Sequence, residues 1–338
     1  MKKPALVPVM LSVPTPGAIR ALVAKHYKLK GPLKARFWQQ SVNLTYMIDG
    51  ADERWALRIY TPGWRSKAQV DFELAEILFL QRAGVPVSTP QPTRSGAFSF
   101  GLRLPDGATH AVLFSFAKRS PGERDETEVG SSIGRALAGL HAAQAQFKRP
   151  PRQRALDLKG LVDAPLRAVR PYRASFGKDW ALLQKIAARI RRQLKALPRT
   201  APAYGLIHGD THGGNMHFDK ERGHYVFFDF DLSPSGWRIF DIATSLWDLG
   251  INDMGGKKLK RAFEALVKAY NAEHPAPLSR TEIRAVPAMM AARHLWFIGF
   301  HAENAHRWGH SMVGEGSHAW KMKFLKRWYK GDLKKSFA

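Results

Sequence analysis

Leu206-Ile207-His208-Gly209-Asp210-Thr211-His212-Gly213-Gly214-Asn215, with Val226-Phe227-Phe228-Asp229-Phe230-Asp231 shortly downstream, decides how this chain is read. The apolar runs on either side of Lys220-Glu221-Arg222-Gly223-His224 read as two strands joined by a five-residue loop containing glycine, which is a hairpin signal. With Asp219 paired to Tyr225, the ladder continues outward and sets Asn215 opposite Asp229. Residues opposed across an antiparallel ladder have Cα atoms roughly 4.5–5.5 Å apart. An amide oxygen and a carboxylate at that separation suit a hard divalent cation such as Mg²⁺. Asp210 precedes them in a turn, placed to receive a proton.

Toward the N-terminus the pattern changes. Leu44–Ile48 and Trp55–Tyr60 flank an Asp49-Gly50 turn and read as a second hairpin. Trp55, Leu57 and Ile59 share one face of the second strand, and Arg58 lies on the other. A helix follows from about Ser66 to Arg82, with Val70, Leu74, Ile77 and Leu78 as its apolar stripe. Glu73 falls on the flank of that stripe and Glu76 further off it. A carboxylate beside a core-facing stripe needs a cationic partner, because unpaired burial is expensive.

After a Pro-rich stretch from Pro86 to Pro92 come strands around Phe98–Leu104 and Ala111–Phe116, and Ala117–Gly122 reads as a linker. Beyond it helices dominate: Ser131–Phe147, Asp179–Ala196, Lys257–Tyr270, Arg280–Asn304 and the tail, with Pro287 placed to kink or split the fourth. The expected architecture is α+β. A small strand-rich part spans residues 1–117, and a larger, mostly helical part spans 118–338.

The 338 residues can fill one large or two medium domains. The absence of cysteine excludes disulfides and thiolate metal sites and fits a reducing compartment. No apolar run approaches the roughly 20 residues of a membrane helix, so no membrane span is expected, and the expected location is cytoplasmic. Pro4 and Pro8 interrupt the apolar start of the chain, which reads as an extended arm. The net charge of +25 invites nucleic acid as a partner. Its densest cluster, Lys321, Lys323, Lys326, Arg327, Lys330, Lys334 and Lys335, is interleaved with Trp320, Phe324, Trp328 and Tyr329. That spacing fits an amphipathic helix with inward-facing aromatics. No zinc-finger, RRM or KH signature accompanies it, so nucleic acid is not the expected partner.

His208-Gly209-Asp210 through Asn215, followed by a hairpin and Phe227-Phe228-Asp229, resembles the aminoglycoside phosphotransferase/choline kinase superfamily, near its homoserine-kinase-like or bacterial stress-response-kinase branch. Gly236–Ala243 looks like the family's downstream segment, in which an Asp, here Asp241, braces the catalytic loop. Gly134–His141 looks like the helix before that loop. Ser41–Tyr46 looks like the first nucleotide-facing strand. The resemblance covers about residues 35–250. It implies a bilobal protein-kinase-like fold and an ATP- and Mg²⁺-dependent phosphotransferase, with GTP not excluded and a small-molecule hydroxyl as acceptor. Asp210 would be the catalytic base, Asn215 and Asp229 the metal ligands, Arg58 the phosphate contact and Glu73 its partner. Phosphoryl transfer needs this set, since it rests on positioning and charge neutralisation. Two departures stand out. Arg58 occupies a position that is usually Lys, and Phe37–Ser41 contains no glycine, which leaves Gln40 and Ser41 as phosphate contacts.

His208 is expected to brace the loop, Asp231 to stand behind the metal ligands, and Trp296, Trp308 and Trp320 to be core. His212 is read equally as loop scaffold or active-site contact. Asn304, His301, Arg293 and Glu303 are candidates for the acceptor wall. Rival readings are a metallophosphoesterase, a Ser/Thr protein kinase of the same fold, a non-catalytic nucleotide-binding regulator and a nucleic-acid-binding module. The first lacks the further Asp-x-His and Asn-His elements its metal cluster needs. The regulator fits poorly with retention of Asp210, Asn215 and Asp229 together. Residues 280–338 carry few acids among many bases, which disfavours a polycationic acceptor.

Overall fold

The computed structural model describes residues 7–120, 124–251, 256–332 and 337. It divides into two compact units, Met1–Lys118 and Arg119–Ala338. The start of the N-terminal arm, part of the linker near residue 121, and Lys334 and Lys335 of the basic tail lie outside the described residues.

The first unit is built on a five-stranded antiparallel sheet in the order β1-β2-β3-β5-β4. The strands are β1 (Lys34–Gln40), β2 (Leu44–Asp49), β3 (Arg54–Ile59), β4 (Phe100–Leu104) and β5 (Gly107–Ser115). Residues 7–15 form neither helix nor strand, and from Pro16 to His26 the chain forms a helix, α1, that the sequence reading did not include, with Thr15 as N-cap and Pro16 in the first turn, where proline's missing N–H costs nothing. Ile19 and Val23 of α1 join Leu44, Tyr46, Ile48, Trp55, Leu57 and Ile59 in one buried cluster, so the alternating faces of β2 and β3 fall as expected. The first strand of the sheet lies upstream of Ser41–Tyr46, because Ser41–Asn43 form the turn between β1 and β2. On the other side of the chain, α2 (Lys67–Arg82) starts with a reciprocal capping box between Ser66 and Gln69. Glu76, expected off the apolar stripe, is fully buried.

The second unit contains α3 (Glu126–Gln144), short helices α4 (Ala164–Val169) and α5 (Arg173–Phe176), α6 (Asp179–Leu194), α7 (Ile239–Ile251), α8 (Gly256–Glu273), α9 (Arg280–Glu303), the single turn α10 (Ala305–Trp308) and α11 (Glu315–Lys330). Two small two-stranded ladders carry the loop that matters: β6 (Tyr204–Leu206) with β9 (Ser235–Trp237), and β7 (Met216–Asp219) with β8 (His224–Phe227). Gly130 and Gly134 let α3 lie directly on α8: a Cβ there would stand 2.2 Å from Ala262 O and 2.3 Å from Leu266 O respectively. Pro287 does not split α9, which runs unbroken from Arg280 to Glu303. The tail helix buries Phe324 and Trp328, but Trp320 is 41% exposed, and Trp296 and Trp308 are only half-buried, so these three are not core. Lys321 reverses the expected solvated pattern. It is fully buried, with Nζ donating to Met312 O and Ser317 Oγ. Among the described residues no helix is long and apolar enough to cross a membrane.

Candidate active site

The β7–β8 hairpin forms, with a register one residue from that expected. Asp219 pairs with His224 and Met216 with Phe227. The cause is the turn. Asp219 Oδ1 accepts the N–H groups of Glu221 and Arg222, and Gly223, at φ 71°, returns its N–H to Asp219 O. The loop therefore closes over four residues and His224 joins the strand. Carried outward, the ladder places Phe228, not Asp229, across from Asn215, with Phe228 N donating to Asn215 O at 3.0 Å. Asp229 is the next residue and leaves the ladder at φ 65°. That left-handed conformation is sparsely populated for residues other than glycine, and such strain clusters at functional sites.

Upstream, the loop Ile207–Asn215 is pegged to the first turns of α7. Asp241, fully buried, accepts the backbone N–H of His208 at 2.9 Å on Oδ2 and that of Gly209 at 2.8 Å on Oδ1. His141 of α3 reaches the same Oδ2 at 3.1 Å with Nε2, and its Nδ1 meets the Tyr270 hydroxyl at 3.0 Å. Thr211 Oγ1 donates to Asp241 O, Ser245 Oγ to Thr211 O, and Gly213 N to Asp248 Oδ2. Asp241, Ser245 and Asp248 are spaced i, i+4, i+7, so one face of α7 grips the loop. Asp241 braces it as expected. The roles of Asp248 and His141 were missed, although the spacing on an apolar helix was a readable signal for the former.

His208 is a loop brace too. It is fully buried, Nε2 donates to Phe228 O at 3.1 Å, and Nδ1 accepts from Asp210 N at 3.3 Å. Burial pushes its imidazole below the ordinary value and keeps it neutral, despite the attraction of nearby carboxylates. It ties Asp210 to the residue before Asp229.

Asp210 sits at the centre. Its Oδ1 takes Nη2 of Arg293 at 2.6 Å, and its Oδ2 takes Nδ2 of Asn215 at 3.0 Å and faces Nε2 of His212 at 3.4 Å. Burial works against its charge, but Arg293 and His212 outweigh it and hold the carboxyl well below the usual carboxylate range. His212 also accepts Gly214 N–H on Nδ1 at 3.0 Å, so it joins the scaffold and the site at once. Burial lowers the affinity of His212 for a proton, and Asp210 more than restores it.

Arg293, expected on the acceptor wall, instead lies buried against Asp210. Its guanidinium is 4.9 Å from the Trp247 ring centroid and 4.7 Å from that of Trp296. Of the other wall candidates, His301 is half-buried among aromatic rings, Asn304 caps the end of α9, and Glu303 pairs with Arg154. Asp231 is buried.

The Asn215 amide donates through Nδ2 to both Asp210 O and Asp210 Oδ2, which reserves Oδ1 as its oxygen donor. Together with the Asp229 carboxylate it would make a hard, two-residue oxygen set. Such a set fits Mg²⁺, which keeps several waters and takes phosphate oxygens. Among the described residues no group of three or more His, Cys, Asp or Glu is arranged to hold a metal, so the denser cluster a metallophosphoesterase requires has no counterpart there.

In the first unit, the expected ion pair is present: Arg58 Nη1 meets Glu73 Oε1 at 2.7 Å, and Tyr60 Oη donates to Glu73 Oε2 at 2.6 Å. Both charged side chains are buried, and the Arg58 guanidinium lies 5.0 Å from the Phe114 ring centroid. Gln40 ends β1 and Ser41 opens the turn after it. Both are exposed, and Ser41 N donates to Asn43 O.

Comparison with known proteins places the fold and the family. A protein of Deinococcus radiodurans without a stated activity is 33% identical over 95% of this chain and 92% of its own. The homoserine kinase of Caulobacter vibrioides is 28% identical over 78% of this chain and 79% of its own. The structure of an amicoumacin kinase in complex with AMP-PNP, Ca²⁺ and Ami superposes with a TM-score of 0.72 at 18% identity, covering 93% of both chains. The fold is accordingly protein-kinase-like, strand-rich in its N-terminal unit and helical in its C-terminal unit. Residues 35–279 match the model of the phosphotransferase enzyme family, and the chain belongs to that family.

Proposed function

We propose that the protein is an ATP- and Mg²⁺-dependent phosphotransferase that moves the γ-phosphoryl group to a hydroxyl of a small molecule. The observation that carries this reading is the carboxylate of Asp210. It is held as an anion by Arg293, oriented by Asn215, and locked to the Asp229 segment through His208. In the transfer, the acceptor oxygen forms a bond to γ-phosphorus, the bond from γ-phosphorus to the bridging oxygen of ADP breaks, and the hydroxyl proton passes to Asp210. A carboxylate of such low basicity aligns the hydroxyl first and takes the proton only as the new bond forms. Asn215 and Asp229 would hold Mg²⁺, which neutralises phosphate charge when bound. Arg58, an always-charged planar fork oriented by Glu73, would contact phosphate oxygens where relatives use Lys. Gln40 and Ser41, at the exposed turn, would cover the phosphates.

The test is nucleotide turnover by the purified protein and its Asp210→Asn variant across a panel of hydroxylated acceptors. Transfer reduced about 10²-fold or more in the variant, with Mg-nucleotide affinity retained, is the expected result. Equal transfer by both proteins would remove Asp210 from its role.

A further inference from the structure

The face of α9 that begins at Arg293 continues through Trp296, Phe297, Phe300 and His301, positions that neighbour one another on a helix surface. The Trp296 and Phe300 rings stack at 4.7 Å with planes 19° apart, and Phe297 lies 4.5 Å from His301. Trp308 closes on Phe300 at 5.1 Å and on His301 at 5.6 Å. These five rings are half-buried, and the more exposed Trp320 stands 6.1 Å from Phe297. A broad aromatic surface thus opens to solvent one side chain away from Asp210. Contiguous apolar surface left open on a protein marks a ligand or partner site, and small-molecule sites are typically lined by aromatic rings with a few polar groups.

Aromatic faces take either a cation or another ring. Here the protein already supplies cations to them. The Arg293 guanidinium lies 4.7 Å from the Trp296 centroid and 6.0 Å from that of Phe297, and Lys321 Nζ is 6.0 Å from that of Trp320. Carboxylates on the elements that carry the rings and the loop are held by the protein's own groups at three described positions. Glu282 is bound to Arg238, Glu303 to Arg154, and Asp248 accepts Gly213 N–H. The cation position over Trp296 is thus already filled by Arg293, whereas a neutral or anionic ring would stack on the open faces.

We propose that this aromatic face of α9 and α10 is the acceptor wall, and that the acceptor is an alcohol carrying a flat, neutral or anionic ring. The proposal rests on the phosphotransferase reading and uses the same transfer: oxygen–phosphorus bond formed, ADP released, proton to Asp210.

The experiment offers the full chain, with Mg·ATP, 4-(hydroxymethyl)benzoate and 2-phenylethanol against 2-aminoethanol and 3-aminopropanol. Phe300→Ala, Trp308→Ala and Phe300→Tyr are run beside the parent. Ring-bearing alcohols should show kcat/KM at least about tenfold higher than the amino alcohols. Phe300→Ala should raise their KM about tenfold with little change in kcat, and Phe300→Tyr should restore it. Equal or better use of the amino alcohols by the parent overturns the proposal even if a variant fails to fold. An unchanged KM in both alanine variants overturns it too. Turnover on amino alcohols alone would leave the phosphotransferase reading standing. Absence of Mg-nucleotide binding would sink both.

Discussion

Asp241→Asn is the most informative single change, because its cost can be worked from the geometry. The carboxylate uses Oδ1 for Gly209 N–H and Oδ2 for His208 N–H and His141 Nε2, all out of contact with water. Asparagine offers one oxygen. Whichever way the amide turns, its NH₂ faces a donor and at least one buried N–H loses its acceptor. Stranding that donor costs about 1–3 kcal/mol, and turning a charge-assisted bond into a neutral one costs about 1 kcal/mol more. The expected loss is about 2–4 kcal/mol. For a unit the size of Arg119–Ala338 that corresponds to a fall in Tm of about 5–15 °C. Amide hydrogen exchange reads the same event locally: protection at His208 and Gly209 should fall about 30- to 700-fold. Unchanged exchange at both amides, with Tm within a degree of the parent, would refute the claim that Asp241 holds the loop.

Gly134→Ala places a Cβ 2.3 Å from Leu266 O, so α3 and α8 must separate. The expected loss is about 1–3 kcal/mol or more by denaturant unfolding. Glu282→Gln strands the buried Arg238 guanidinium and should cost about 3–5 kcal/mol in urea unfolding. Burial raises the Glu282 pKa, but Arg238 and Ser279 lower it further. Its contribution to stability is therefore complete above the unfolded carboxylate value and lost as pH falls through the folded one, and the Gln variant should lack that acid dependence. His294 is fully buried, accepts Trp247 Nε1–H on Nδ1, and donates from Nε2 to Lys321 O, and burial lowers its pKa to about 3. The unfolded chain takes up this proton near 6.5 and the folded chain does not. Stability should thus fall by up to about 1.4 kcal/mol per pH unit on acidification between those values. Unfolding free energies of the parent and His294→Gln across that range should converge at low pH; parallel curves would contradict the assignment.

What could be read in advance was local. The helix from about Ser66 to Arg82, the β2–β3 hairpin and the Arg58–Glu73 pair depend on nearby residues and simple periodicity, and all three stand in the structure. The β7–β8 hairpin was legible as a hairpin but not in register, because one buried Asp side chain and one left-handed glycine shortened its loop by a residue. The edge strand β1 exposes nearly all its side chains, so it carries no alternation to detect. Helix α1 is short and buries only Ile19 and Val23. Arg293 and Asp210 lie 83 residues apart, and only the tertiary fold shows that a late-helix arginine turns onto the Asp210 carboxylate.

If Asn215 and Asp229 hold a divalent ion against a nucleotide beside Asp210, nucleotide affinity must depend on both the ion and Asp229. Isothermal titration calorimetry of AMP-PNP, with and without Mg²⁺, into the parent and Asp229→Ala reads that dependence. Binding should require Mg²⁺ and weaken at least about tenfold in the variant, a loss of about 1.4 kcal/mol. Binding of equal strength without Mg²⁺, or equal in both proteins, would contradict it.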